Sequence, residues 1–230
     1  ALAVLAPWIA PQNPYALEQL RLEDSAQGPL WAREPAAGGP LYLLGTDTQG
    51  RDMLSAVIYG LRVSLLVGFA STAIATAIGV VLGLLSGYFG GWVDMLIMRF
   101  TDMVMSFPYI LLVLVAAAIF EPGLWNIILI LGFVDWPGVA RLVRGNVLSL
   151  RETAFVQADV VAGMPTRHTL FSEILPNTIA PILVYATSVV ALSILDEAAL
   201  SFLGMGVQPP TASLGNMLNG AQSITILTTK

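Results

Sequence analysis

The 230-residue sequence contains no cysteine, a single histidine (His168) and a single lysine (Lys230). Without thiols it builds neither an iron–sulfur cluster, a thiolate-ligated haem nor a zinc finger, and one histidine cannot supply the paired-histidine zinc motif of membrane metalloproteases. The lone lysine is the last residue, so no glycine-rich loop is followed by the lysine that a P-loop sets against its phosphates. The chain is therefore not itself a P-loop ATPase, and neither a metal site nor a cofactor of its own is expected. Charge is scarce as well: 11% of residues are charged, against roughly 25% in an ordinary soluble domain. What fills the gap is apolar, 56% of the chain with a mean hydropathy of +0.78. Such a composition makes lipid the solvent of much of the surface and defines a polytopic membrane protein. The net charge of −5 is spread along the chain and not gathered into an acidic tail, and the basic residues form no nucleic-acid footprint.

A hydrocarbon core about 30 Å thick takes roughly 20 mainly apolar residues to cross as a helix. Four complete runs of that kind are present, with one stub. The stub, 1–10, lacks a basic flank and exits through Pro11-Gln12-Asn13-Pro14, which reads as the end of a helix and not as a signal peptide. A polar loop, 11–50, carries Glu18, Glu23, Asp24 and Glu34 against Arg21 and Arg33. Thr46-Asp47-Thr48-Gln49 has the spacing of a capping box, which predicts a helix start there. No charge occurs from Val63 to Val93. Within that run Gly68, Thr72, Thr76, Gly79, Gly83 and Gly87 fall on one helical face, a spacing that lets two helix backbones approach closely in lipid. A third run covers about 92–120, with Asp94, Arg99 and Asp102 early and a kink expected at Pro108. A fourth covers about 124–140 and a fifth segment about 177–202, while Ser223-Ile224-Thr225-Ile226-Leu227 reads as the start of a further helix.

Four of the ten basic residues, Arg141, Arg144, Arg151 and Arg167, lie in the stretch 141–176. By the positive-inside rule this loop is cytoplasmic, which places the 11–50 loop and the segment 207–230 outside. The loop is long for a helix connection and is expected to carry structure and a partner of its own. A helix through Phe155, Val156, Asp159 and Val160 ends or approaches a neighbour closely at Gly163. Pro165 forbids simple continuation, and Thr166 offers a cap to a second helix that Pro176 stops. Two short helices joined at 163–165 form either a rigid knob fit for a cleft or an amphipathic hairpin resting on lipid headgroups.

The residues in this loop are similar to the cytoplasmic motif of permease subunits of binding-protein-dependent ABC importers. Gln157-Ala158-Asp159 stands for Glu-Ala-Ala, followed by Gly163 and by Ile174-Leu175-Pro176-Asn177. Gln157 and Asp159 depart from that pattern, as does Met164-Pro165 where the dipeptide, oligopeptide and nickel branch has Ala-Ser. Branch-level resemblance comes from Leu44-Gly45-Thr46-Asp47 through Gly50-Arg51-Asp52, from Trp136-Pro137-Gly138 with Ala140-Arg141 through Gly145, and from Glu197-Ala198-Ala199-Leu200-Ser201-Phe202-Leu203-Gly204 with Gln208-Pro209-Pro210. The resemblance implies an all-α helix bundle of the type I importer kind, with about five of six spans in this chain and a permease core over 51–206. It also implies a bacterial inner-membrane, multi-pass location, a second homologous permease subunit, two ATPase subunits that bind ATP and magnesium, and an extracytoplasmic substrate-binding protein. On that footing Phe155, Gln157, Ala158, Asp159, Gly163, Met164, Pro165, Arg167, Leu175 and Pro176 are the residues expected to couple to the ATPase. Import of di- or oligopeptides is the implied activity, with nickel, glutathione and opines as alternatives within the branch.

Carboxylates within apolar runs are costly, about 2.5–3.5 kcal/mol for an Asp at a helix centre, and are functional candidates on that ground. Asp102, three residues from Arg99, is expected to be neutralised within its helix. Asp135 either serves the pathway or reaches the interface beside Trp136. Asp196 and Glu197 either line the pathway or an outer gate, or anchor helix packing. A proton-coupled secondary transporter would use such carboxylates, but commonly shows internal repeats, and none is found in the sequence. An intramembrane protease fits worse still, because the one histidine lies in the cytoplasmic loop and cannot serve a buried site.

Overall fold

A computed structural model describes residues 3, 5–14, 25, 27–30, 42–47, 50–208 and 210–228, without the side chains of 222–228. The charged residues expected in the 11–50 loop, the Thr48 and Gln49 half of the capping box and the side chains of 223–227 lie outside the described residues. The helices are α1 (Ala6–Ile9), α2 (Met53–Phe89), α3 (Gly91–Met105), α4 (Tyr109–Ile119), α5 (Leu124–Val134), α6 (Trp136–Arg151), α7 (Ala154–Val161), α8 (Thr166–His168), α9 (Leu175–Phe202) and α10 (Leu214–Thr228). A π turn, Thr169–Ile174, joins α8 to α9. Among the described residues there is no strand, only an isolated antiparallel bridge between Thr46 and Asp52.

Among the described residues three stretches are long and apolar enough to cross a membrane: Met53–Phe89, Leu124–Arg151 and Thr166–Phe202. The pair α3 and α4 makes a fourth if the two count as one broken span, bent by 84°. Each overlaps one of the four complete apolar runs in the sequence, and two of them extend into the stretch 141–176 expected as a loop. The break at 106–108 is sharper than a proline kink, because Pro108 withholds a backbone donor and Ser106 closes α3 by donating its hydroxyl to Met103 O at 2.7 Å. Apolar side chains on the outward faces, among them Leu111, Val115, Ile119, Phe133, Leu183, Val184, Leu192 and Leu195, are exposed, as lipid-facing surfaces require.

Two compact units are distinguished: Ala1–Val67 with Phe120–Ile127 and Ile194–Lys230, and Gly68–Ile119 with Ile128–Ser193. In the first, α2 starts at Met53 and not at the Thr46 box. Thr46 is drawn away, its hydroxyl accepting the Gln27 N–H at 2.9 Å. Asp52 caps the helix instead, accepting from the Ser55 backbone at 2.8 Å and the Ser55 hydroxyl at 2.5 Å. Gln12 seals this cap by accepting the Asp52 N–H at 2.9 Å and donating its own N–H to Ser55 Oγ at 3.0 Å. Ala6, Ile58 and Tyr59 form the small core beside it.

In the second unit the glycine face of α2 meets a valine ridge on α6. A Cβ at Gly79 would lie 2.5 Å from Val139 Cβ, at Gly83 2.6 Å from Val143 Cβ, and at Gly87 2.7 Å from Val147 Cβ. Both sets repeat every four residues, so ridge enters groove along two turns. Gly68, the first glycine of the series, is buried and its carbonyl accepts the Ser71 hydroxyl. The valines continue into a core with Leu84, Val156, Leu170, Ile174 and Ile182. The basic residues 141–151 expected in a loop are thus helical, because this ridge holds them against α2.

Candidate coupling turn and intramembrane carboxylates

Helix α7 begins after Thr153, whose extended backbone offers its carbonyl to the Gln157 N–H and whose hydroxyl donates to Leu150 O at 2.5 Å. Val156 is buried with Leu170 and Ile174, which fastens α7 to the chain that returns from the turn. The helix ends at Gly163, at φ +70°. Its N–H donates to Val160 O at 3.1 Å and the Met164 N–H to Asp159 O at 3.0 Å, the paired bonds of a Schellman cap. An L side chain at that φ costs roughly 1–2 kcal/mol, so the glycine is required by the turn. Of the two roles open to it in the sequence, helix ending is the one it plays within the chain, since a Cβ there would meet nothing within 4 Å.

Past the turn the cap differs from expectation. Pro165, in extended conformation, stands at the N-cap of α8, and Thr166 makes no side-chain cap. Nor does Pro176 stop the helix. The π turn just before it shifts the carbonyl register, which relieves the clash a proline makes with the carbonyl four residues back, and α9 runs on from Leu175. Gln157, Ala158, Met164, Pro165, Arg167 and Pro176 are exposed, and Leu175 packs on the core. The tip is apolar as well as polar: Phe155, Val160 and Met164 are exposed and Val161 is 88% exposed.

Three arginine–carboxylate pairs organise the helices. Arg144 grips Asp94 with two bonds, Nε to Oδ1 at 2.5 Å and Nη2 to Oδ2 at 2.6 Å, while the Ser86 hydroxyl donates to the same carboxylate. This fork ties α2, α3 and α6 at one point. Asp102 pairs with Arg141 at 2.5 Å, not with Arg99 on its own helix, because the packing of α6 along α3 brings the Arg141 guanidinium closer. Arg51 reaches Asp47 at 2.8 Å and Pro210 O at 3.1 Å.

Asp135 sits in the break between α5 and α6, with Ser193 Oγ donating to it at 3.4 Å. With Phe107, Tyr109, Pro137, Gly138 and Tyr185 it lines a cavity of about 300 Å³. A side chain at Gly138 would collide with the Tyr185 hydroxyl, so the glycine keeps this cavity's wall thin. Glu197 is fully buried and both its oxygens are engaged, Oε2 by Ser64 Oγ at 2.8 Å and Oε1 by Ser201 Oγ at 2.7 Å. Ser201 in turn accepts the Val207 N–H at 3.0 Å, and Asn216 Nδ2 donates to Val207 O, so the carboxylate anchors the turn after α9. Asp196 is half-buried. A second cavity of about 310 Å³ is lined by Asp47, Arg51, Ser201, Gln208, Asn216 and Asn219. The sequence reading missed the serine partners of Glu197 and the Arg144–Asp94 fork. The four-residue repeat of Val139, Val143 and Val147 was a visible signal for the ridge, whereas partners 50 and 133 positions apart leave no local pattern.

Helices long and apolar enough to cross a membrane, joined by a glycine–valine seam and carrying an exposed Schellman turn, define a polytopic membrane component. Solved structures share this fold: the inward-facing MetNI methionine ABC transporter at TM-score 0.61 and 18% identity, covering 77% of this chain and 89% of that one. An amino acid ABC transporter aligns at TM-score 0.57 and 17% identity over 75% of this chain and 80% of that one. Residues 79–229 match the family described as binding-protein-dependent transport system inner membrane component, and the chain belongs to that family. It is 40% identical over 221 residues to the dipeptide transport system permease protein DppC of Haemophilus influenzae, across 96% of this chain and 73% of that protein. It is 41% identical over 220 residues to the di/tripeptide transport system permease protein DppC of Pseudomonas aeruginosa, across 96% and 71%.

Proposed function

We propose that this chain is the permease subunit of an ATP-driven importer of di- or oligopeptides in a bacterial inner membrane. Support comes from relatives carrying dipeptide and di/tripeptide transport names at 40% and 41% identity across 96% of the chain. In this reading the chain forms half of the pathway, beside a homologous second permease. Two ATPase subunits supply ATP and magnesium chemistry, and an extracytoplasmic binding protein delivers the peptide. The chain makes and breaks no bonds. Its work is to exchange an inward-open for an outward-open packing as the ATPases close.

The turn formed by Phe155, Gln157, Ala158, Asp159, Gly163, Met164, Pro165 and Arg167 is the coupling element, with Leu175 and Pro176 holding its return strand of helix. Its exposed Phe155, Val160, Val161 and Met164 supply apolar contacts, and Arg167 supplies a charge-assisted bond to the ATPase. Asp135 belongs to the pathway, since it lines a cavity at a helix break. Glu197 is an internal anchor, since its oxygens are engaged by serines, and Asp196 beside it lines the pathway or the outer gate. The decisive experiment is uptake of a labelled dipeptide by proteoliposomes holding this permease and its partner subunits. Uptake that needs ATP inside and persists when a proton gradient is collapsed is the expected result. Uptake that follows the proton gradient, or nickel or opine in place of peptide, sinks the corresponding part of the proposal.

A further inference from the structure

At the base of the proposed coupling turn three side chains from three successive elements converge: Asp159 on α7, His168 at the end of α8 and Glu173 in the π turn. One carboxylate oxygen of each acid and one ring nitrogen of His168 all lie within 4.8 Å of one another. Each residue is partly shielded, and Asp159 Oδ2 is buried without a hydrogen-bond partner. A buried carboxylate oxygen without a partner is costly to keep, because nothing replaces the water it has lost. Beside it stand the chain's only imidazole and a second carboxylate, an arrangement that satisfies the oxygen once a cation enters.

We propose that Asp159, His168 and Glu173 form a binding site for a divalent transition metal ion of the zinc kind, which clamps the two arms of the turn together. The composition alone gave no reason to expect a metal in this chain; the convergence across the turn supplies one. One imidazole and two carboxylates suit a borderline cation, with water completing the shell. Donors on a tetrahedral zinc stand about 3.4 Å apart, so closing on the ion draws these three atoms inward by about 1 Å. The two arms are already joined by Val156 on Leu170 and Ile174, so the scaffold is set and only side-chain rotations are needed. A metal here stiffens the 163–165 tip. The effect on transport rests on the coupling role proposed above, whereas binding of the ion does not.

The test is titration of zinc alone into the purified full-length chain in detergent, without partners or substrate, followed by calorimetry and thermal melting. Expected are one equivalent of saturable binding and a zinc-dependent rise in melting temperature. Asp159→Asn and Glu173→Gln should each weaken binding about tenfold or more, and Asp159→Ala, an ordinary helix residue, should remove it while the zinc-free melt does not fall. Absence of saturable binding by the wild type, or equal binding by all three variants, overturns the site. Neither result touches peptide uptake, so failure of the metal site and failure of the transport reading are separable.

Discussion

Glu197 shows at the scale of one residue what a buried charge is for. In the sequence it stands beside Asp196 near the end of an apolar run, and an outer gate and a packing anchor fit that position equally. Geometry divides them: Ser64 and Ser201 donate to both oxygens, and Ser201 passes the link to the Val207 N–H. Glu197→Ala leaves two buried hydroxyls without their acceptor and should cost about 3 kcal/mol of stability. Glu197→Gln keeps one acceptor oxygen, and its amide can donate to a hydroxyl that turns round, so about 1 kcal/mol is expected. Thermal melts in detergent, alongside uptake, check this. A near-normal melt with lost uptake in the Gln variant would mean that the charge itself serves the pathway.

At the scale of elements, the seam between α2 and α6 is where sequence reading went furthest. Glycines at 79, 83 and 87 announced a close helix contact because in lipid small residues have few other uses. Their partner was not named, although Val139, Val143 and Val147 carry the same period, since a periodic stripe tells which face packs but not against what. The caps went the other way. The Thr46 box was a sound local pattern overridden by the longer-range bond from Gln27, and Pro176 was tolerated because a π turn preceded it. Arg141 was likewise read by its charge and not by its reach to Asp102. Gly83→Ala tests the seam directly. The added methyl falls 2.6 Å from Val143 Cβ and 2.7 Å from Ala140 O, so the helices must part, at about 1–3 kcal/mol. Val143→Ala removes only the Cγ1 contact at 2.9 Å and leaves the Cβ and carbonyl contacts. The double variant should therefore recover part of the loss, and a double-mutant cycle on melting temperatures reads the coupling.

For the whole molecule, membrane class and importer family were legible because hydropathy and short motifs survive without any knowledge of packing. The turn at 163–165 was legible for the same reason: Gly163 followed by Pro165 is a helix stop in any context. Its chemistry was not, because Asp159, His168 and Glu173 meet only once the turn closes. Gly163 connects these levels, since it is required by φ +70° inside the chain and presents open space outside it. Substitution therefore has two separable effects. Gly163→Asn keeps a residue tolerant of the left-handed region and adds a small side chain, so the turn should persist and the ATPase should still co-purify. Gly163→Arg adds a long cation to the tip proposed to enter the ATPase, and should lose the ATPase at matched expression while the membrane bundle melts within a few degrees of wild type. Substrate-stimulated ATP hydrolysis in proteoliposomes should follow the same order, nearly intact for Asn and abolished for Arg. Normal coupling in the Arg variant would show that the tip of the turn lies outside the interface and would move the docking surface to the α7 face around Phe155 and Val161.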